Sequence, residues 1–242
     1  MDEPLAVFPD DWERALAVVA HPDDLEYGAA SAIARWTSEG KHVVYLLVTR
    51  GEAGIDGLAP VEVGPARTAE EIASAAVVGV DTVEFLDGYV DGLVEYGLPL
   101  RRDLAHAIRR HRPELLVSIN YRDRWARGSP INHADHRNVG RALLDAARDA
   151  ANRWVFTEQL AAGLEPCAAR WAVFNGSPAA THAVDVTGFL DRGIASLREH
   201  RTYLEGLGEG STDEDEFLRG AAESAGARQG VVHAVAFELV PL

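Results

Sequence analysis

The run Ala15-Leu-Ala-Val-Val-Ala20 is apolar at every position and stops abruptly at His21-Pro-Asp-Asp24. A strand with no polar alternation has no face for water, so it belongs in the interior of a sheet covered on both sides. Similar β-branched, apolar runs return at residues 42–49 and 114–120, with a shorter one at 82–86. Stretches with apolar residues at helical spacing lie between them, over about residues 24–39, 65–78 and 98–110. A strand, helix, strand order makes the paired strands parallel, because the crossover carries the chain back to the same end. These runs predict an α/β fold, doubly wound, with a mostly parallel sheet flanked by helices.

Beyond this repeating part, a polar and basic loop at residues 121–132 leads into a predicted helix over 133–152. Strands are expected at 171–174, 182–186 and 231–240, a helix at 188–204, and an exposed Gly- and acid-rich loop at 205–216. No internal repeat or linker divides residues 1–242, which predicts one domain.

With 23 basic and 38 acidic side chains the formal charge is -15. The mean field repels phosphate backbones and anionic headgroups, so neither nucleic-acid binding nor membrane insertion is expected. The acidic first residues lack the pattern of a secretory signal, and the single cysteine, Cys167, has no internal partner. Both features lead to the expectation of a cytoplasmic protein.

Chemistry concentrates in two short clusters, His21-Pro-Asp-Asp24 and His133-Ala-Asp-His136, each following a predicted buried strand. Loops at the carboxyl ends of parallel strands form the ligand crevice of such sheets. A phosphate cradle would need glycines at the first turn; two carboxylates and an imidazole there call for a cation instead. If the two strands are neighbours, His21, Asp24 and His136 converge as the three protein ligands of a catalytic zinc. Taken singly, each of these residues is equally at home as a helix cap or a satisfied polar group, as Asp24 and Asp135 illustrate. Only their joint occurrence makes a metal site.

These clusters, with Thr49-Arg-Gly-Glu-Ala-Gly54, Arg67-Thr-Ala-Glu70 and Val184-Asp-Val-Thr187, resemble the LmbE-like (PIG-L) zinc-dependent de-N-acetylases over most of the chain. The resemblance implies a Rossmann-like domain with one zinc on His21, Asp24 and His136. It further implies Asp23 as general base and His133 as acid or oxyanion stabiliser. Asp135 then either orients a neighbouring imidazole or caps its helix. Arg50 and Arg67 are candidates for gripping substrate oxygens, against the plainer reading of Arg67 as a partner of Glu70 or Glu71. Arg122, Arg124 and Arg127 beside Trp125 are either a lid over the substrate or an exposed loop.

The implied reaction is removal of an N-acyl group, acetyl above all, from an amino sugar or sugar-containing metabolite. Two alternatives stand beside it. One is an amidase acting on a sugar-linked thiol-cofactor conjugate, and the other a non-enzymatic module that binds a metabolite. The sequence departs from the family pattern at Leu25, at Ala134, and at Arg201-Thr202 after His200. Those positions bear on the substrate rather than the core chemistry. Such families include monomers and larger assemblies, so a homo-oligomer is compatible with the pattern.

Overall fold

The computed structural model describes residues 3–125, 129–208 and 213–242. Its strands are β1 (Ala6–Val7), β2 (Arg14–Val19), β3 (His42–Leu47), β4 (Thr82–Phe85), β5 (Leu115–Ile119), β6 (Trp171–Asn175), β7 (His182–Asp185) and β8 (Ala234–Pro241). Among the described residues these form one sheet in the order β1-β7-β8-β6-β5-β2-β3-β4. Only β8 runs antiparallel to its neighbours. The doubly wound, mostly parallel architecture expected from the apolar runs is present. Strands β2 and β5, which lead into the two polar clusters, lie side by side in parallel register, Ala15 opposite Leu115 and Ala17 opposite Val117.

Alternation explains why these strands show no polar face. In β2 and its extension Ala15, Ala17 and Val19 pack with α1 (Ala30–Ser38) on one side. Leu16, Val18 and Ala20 pack on the other with α3 (Leu98–His111) and α4 (Ala134–Ala151). Helix α2 (Pro60–Val77) lies on the α1 side, where Ala75 joins the core. The chain continues through α5 (Thr157–Ala161), α6 (Leu190–Leu197), α7 (Arg201–Gly206) and α8 (Glu214–Gln229).

Several boundaries differ from the expectation. Helix α1 starts at Ala30 rather than near residue 24, because the Asp24 carboxylate takes the backbone N–H groups of Ala20 and His21 at 3.1 and 3.0 Å. That bond folds the chain back into a turn. Helix α2 begins one and a half turns earlier than expected, with Pro60 in its first turn and Pro65 inside it. The helix expected over 188–204 breaks at His200, which is fully buried between α6 and α7. The loop expected over 205–216 ends at Asp213, whose carboxylate caps α8 by accepting the N–H groups of Asp215 and Glu216. Arg127 lies outside the described residues.

Candidate metal centre and active site

His21 emerges at the carboxyl end of β2, and His136 sits in the first turn of α4, directly beyond β5. Their rings meet with His21 Nδ1 and His136 Nε2 3.2 Å apart. Asp24 Oδ1 lies 3.0 Å from His136 Nε2, and Asp24 Oδ2 lies 3.7 Å from His21 Nδ1. The three residues singled out as ligands are thus brought to one point.

The outer nitrogens decide which atoms face each other. His136 Nδ1 lies 3.0 Å from Asn132 Oδ1, and the Asn132 amide is fixed because its Nδ2 donates to the Asn120 and Arg122 carbonyls. An amide oxygen only accepts, so Nδ1 carries the proton and Nε2 presents a lone pair. His21 Nε2 likewise faces two carboxylates, Asp91 Oδ1 at 3.0 Å and Asp135 Oδ2 at 3.2 Å. It donates to them and leaves Nδ1 as a lone pair. Two imidazole lone pairs and a carboxylate directed at one another form a donor set that suits zinc. Burial opposes charge on His21, yet Asp135, Asp24 and Asp91 raise its pKa well above the ordinary value. In the metal-free chain a proton answers the same negative potential that would hold a metal ion.

Asp135 is fully buried and does not cap its helix. Besides facing His21, it accepts the N–H groups of Gly92 and Val94 at 2.8 and 3.2 Å, tying the loop after β4 to the site. The N-cap of α4 is instead His133, whose Nδ1 accepts the Asp135 N–H at 3.2 Å. His133 is exposed, its neutral ring carries its proton on Nε2 because Nδ1 accepts, and one of its ring nitrogens lies within 4.8 Å of a ring nitrogen of His21 and of His136. Loss of water around the ring, followed by the charge of His21, lowers its pKa.

Asp23 has φ 80°, in the left-handed region that few non-glycine residues adopt. Arg67, which is 2% exposed, holds it there, donating to the Pro22 carbonyl at 2.6 Å and pairing with the Asp23 carboxylate. The same guanidinium reaches the Gly51 carbonyl at 3.1 Å and stacks 4.3 Å from the Tyr203 ring centre. Burial pushes the Asp23 pKa up to about 7 against the pull of Arg67, with Asp24 adding to the rise. Arg67 therefore lies beneath Asp23 with both terminal guanidinium nitrogens engaged, not on the rim where a substrate-gripping role would place it. Its ion-pair partner is Asp23, not Glu70 or Glu71. Arg50 is half-buried over Phe85 and held by Asp87 and the Leu86 carbonyl.

Trp125 stands edge-on to His136 at 5.9 Å, and Arg122 is paired with Glu238. Asp91 and Asn132 were not singled out from the sequence. Asn132 adjoins the second cluster and was within reach. Asp91 lies in an irregular loop and gains its place only because β4 joins the sheet beside β3.

An α/β sheet with two imidazoles and a carboxylate gathered at its carboxyl edge defines a scaffold whose crevice suits a cation. The chain belongs to the PIG-L family, described as GlcNAc-PI de-N-acetylase, whose profile matches residues 16–147. It is similar to a diacetylchitobiose deacetylase of Thermococcus kodakarensis, 29% identical over 81% of this chain and 72% of that protein. It also resembles a 1D-myo-inositol 2-acetamido-2-deoxy-alpha-D-glucopyranoside deacetylase of Acidothermus cellulolyticus, 30% identical over 78% of this chain and 79% of the relative. The structure of N,N'-diacetylchitobiose deacetylase from Pyrococcus horikoshii shares the fold with a TM-score of 0.83, at 24% identity over 96% of this chain and 85% of that one.

Proposed function

We propose that the chain is a zinc-dependent N-deacetylase that hydrolyses the acetamide of a small amino sugar. The observation that carries this reading is the approach of His21 Nδ1 and His136 Nε2 to 3.2 Å beside the Asp24 carboxylate, with a second carboxylate, Asp23, next in the chain. Family membership and the named activities of the relatives support the acetamide as the bond attacked. His21, Asp24 and His136 would hold the ion. A zinc ion there supplies an acidified water, with pKa lowered to about 7, and polarisation of an amide carbonyl.

The chain's own groups then divide the proton work. Asp24 would be taken up by the ion and already accepts two backbone N–H groups, which leaves Asp23 as the carboxylate of the pair for proton work. With a pKa near 7 it accepts a proton from the attacking water and returns it to the departing amine. Arg67 fixes the orientation of Asp23 through the Pro22 carbonyl and the carboxylate itself. His133, neutral with its proton on Nε2, donates a hydrogen bond to the developing oxyanion. In that role it needs no positive charge, which differs from a protonated imidazolium acting as acid.

Acetate release from N-acetylglucosamine-containing compounds tests the reading, with zinc removed and restored. Purified protein that holds no divalent ion and gains no activity on adding one would overturn it. Inertness toward acetamido sugars together with cleavage of bulkier amides would move the chain to the thiol-conjugate amidases. Asp23→Asn is expected to keep its ion while losing about 10²- to 10⁴-fold in kcat; unchanged turnover removes Asp23 from the mechanism.

A further inference from the structure

Glu26, Glu71 and His200 form a second cluster that plays no part in the reaction proposed above. Glu26 lies in the turn after β2, Glu71 in α2, and His200 at the break between α6 and α7. Their relative exposures are 1%, 0% and 0%. Glu26 Oε1 accepts the Ser74 hydroxyl at 2.7 Å, and Glu71 Oε2 is approached by the Asp23 N–H at 3.4 Å. Glu26 Oε2, Glu71 Oε1 and both ring nitrogens of His200 have no hydrogen-bond partner. The Tyr45 hydroxyl, also unpartnered, is buried where it feels both carboxylates.

Buried polar atoms without partners are costly, and several in one place call for a common partner. The spacing suggests what it is. His200 Nε2 stands 3.7 Å from Glu26 Oε2 and 3.7 Å from Glu71 Oε2, and one donor atom from each residue lies within 4.8 Å of the others. That separation is too long for a hydrogen bond. It is close to the roughly 3.3–3.6 Å between two ligands that each sit about 2.0–2.2 Å from one tetrahedral ion. One dication between them would satisfy both carboxylates and the imidazole at once.

The geometry points to a second, structural divalent-cation site formed by Glu26, Glu71 and His200. One imidazole and two carboxylates favour a zinc- or manganese-type ion over calcium or magnesium. The ion joins three segments that are distant in sequence: the turn carrying the first polar cluster, helix α2, and the α6–α7 junction. Through Glu71 it also steadies the backbone of Asp23.

Metal analysis by mass spectrometry, after reconstitution with excess zinc or manganese and dialysis, tests the site. The full chain is expected to retain two ions per molecule. The double variant His21→Ala/His136→Ala is expected to retain one, and adding Glu71→Gln to leave none. Manganese should raise the melting temperature of the double variant and leave that of the triple variant unchanged. A double variant that holds no ion overturns the proposal even if Glu71→Gln folds poorly, and so does an ion that survives Glu71→Gln in a folded triple variant. Failure of the catalytic reading looks different: full chain and double variant would then hold the same single ion, still lost with Glu71→Gln.

Discussion

At His21 a single ring proton organises the candidate metal centre. Because Nε2 donates to Asp91 and Asp135, Nδ1 is left to a metal ion, and the strength of that lone pair depends on the carboxylates behind it. Asp135→Asn replaces a full negative charge with an amide that also has N–H groups to place beside Gly92 N–H and Val94 N–H. We expect about 10- to 100-fold weaker zinc binding, measured by competition with a chromophoric chelator; unaltered affinity would reduce Asp135 to a loop anchor. His133 makes a separate prediction. Its pKa is lowered from 6.5, so its midpoint in an NMR titration of the metal-free chain should fall below that value, and a midpoint above it contradicts the neutral-donor role. The convergence of His21, Asp24 and His136 was legible in the sequence because each cluster is compact and follows an apolar strand; that they hold an ion belongs to the proposal. The position of Arg67 was not legible, since helical spacing gives a surface residue and a buried guanidinium the same signature. Its true partner, Asp23, lies in another element.

Among the elements, the turn after β3 fits backbone and side chain tightly against the site. Gly51 has φ +62°, and a Cβ there would stand 2.3 Å from Arg67 Nη1. Arg67 cannot swing aside without leaving the Pro22 carbonyl and Asp23. Gly51→Ala should therefore cost about 1–3 kcal/mol in strain and lower kcat together with stability. Denaturation and steady-state kinetics would show both losses; a loss of stability with full kcat would uncouple this turn from Asp23. Helices with a clear apolar stripe, such as α3 and α4, were readable from periodicity. The break at His200 was not, because what ends the helix there is a tertiary environment, the buried carboxylates of Glu26 and Glu71. Strand β1 pairs only through Ala6 and Val7, too short to register as a pattern. Helix α8 is rich in Ala, Gly and charged residues and buries few side chains, so its sequence resembles a solvated loop.

Across the whole molecule, the sheet separates work between its two ends. The carboxyl edge collects buried acids, histidines and a left-handed Asp23, all of which cost stability, while both faces are packed with aliphatic and aromatic side chains that supply it. Trp36 belongs to the second kind. It lies in the last turn of α1, at the end of that helix away from the His21 turn, and is 2% exposed. Its ring centre is 5.1 Å from Trp12, 5.5 Å from Phe8 and 5.9 Å from Phe237. Truncating it removes contacts to all three and leaves a cavity the rigid sheet cannot close, so Trp36→Ala is expected to cost about 3–5 kcal/mol, read from the shift in a urea transition. Metal content and kcat per folded molecule should stay at the level of the unaltered chain, because no ligand or proton-handling residue touches that cluster. If instead the variant loses its ion while still folded, the core and the metal edge are one cooperative unit, and the division of labour between faces and edge fails.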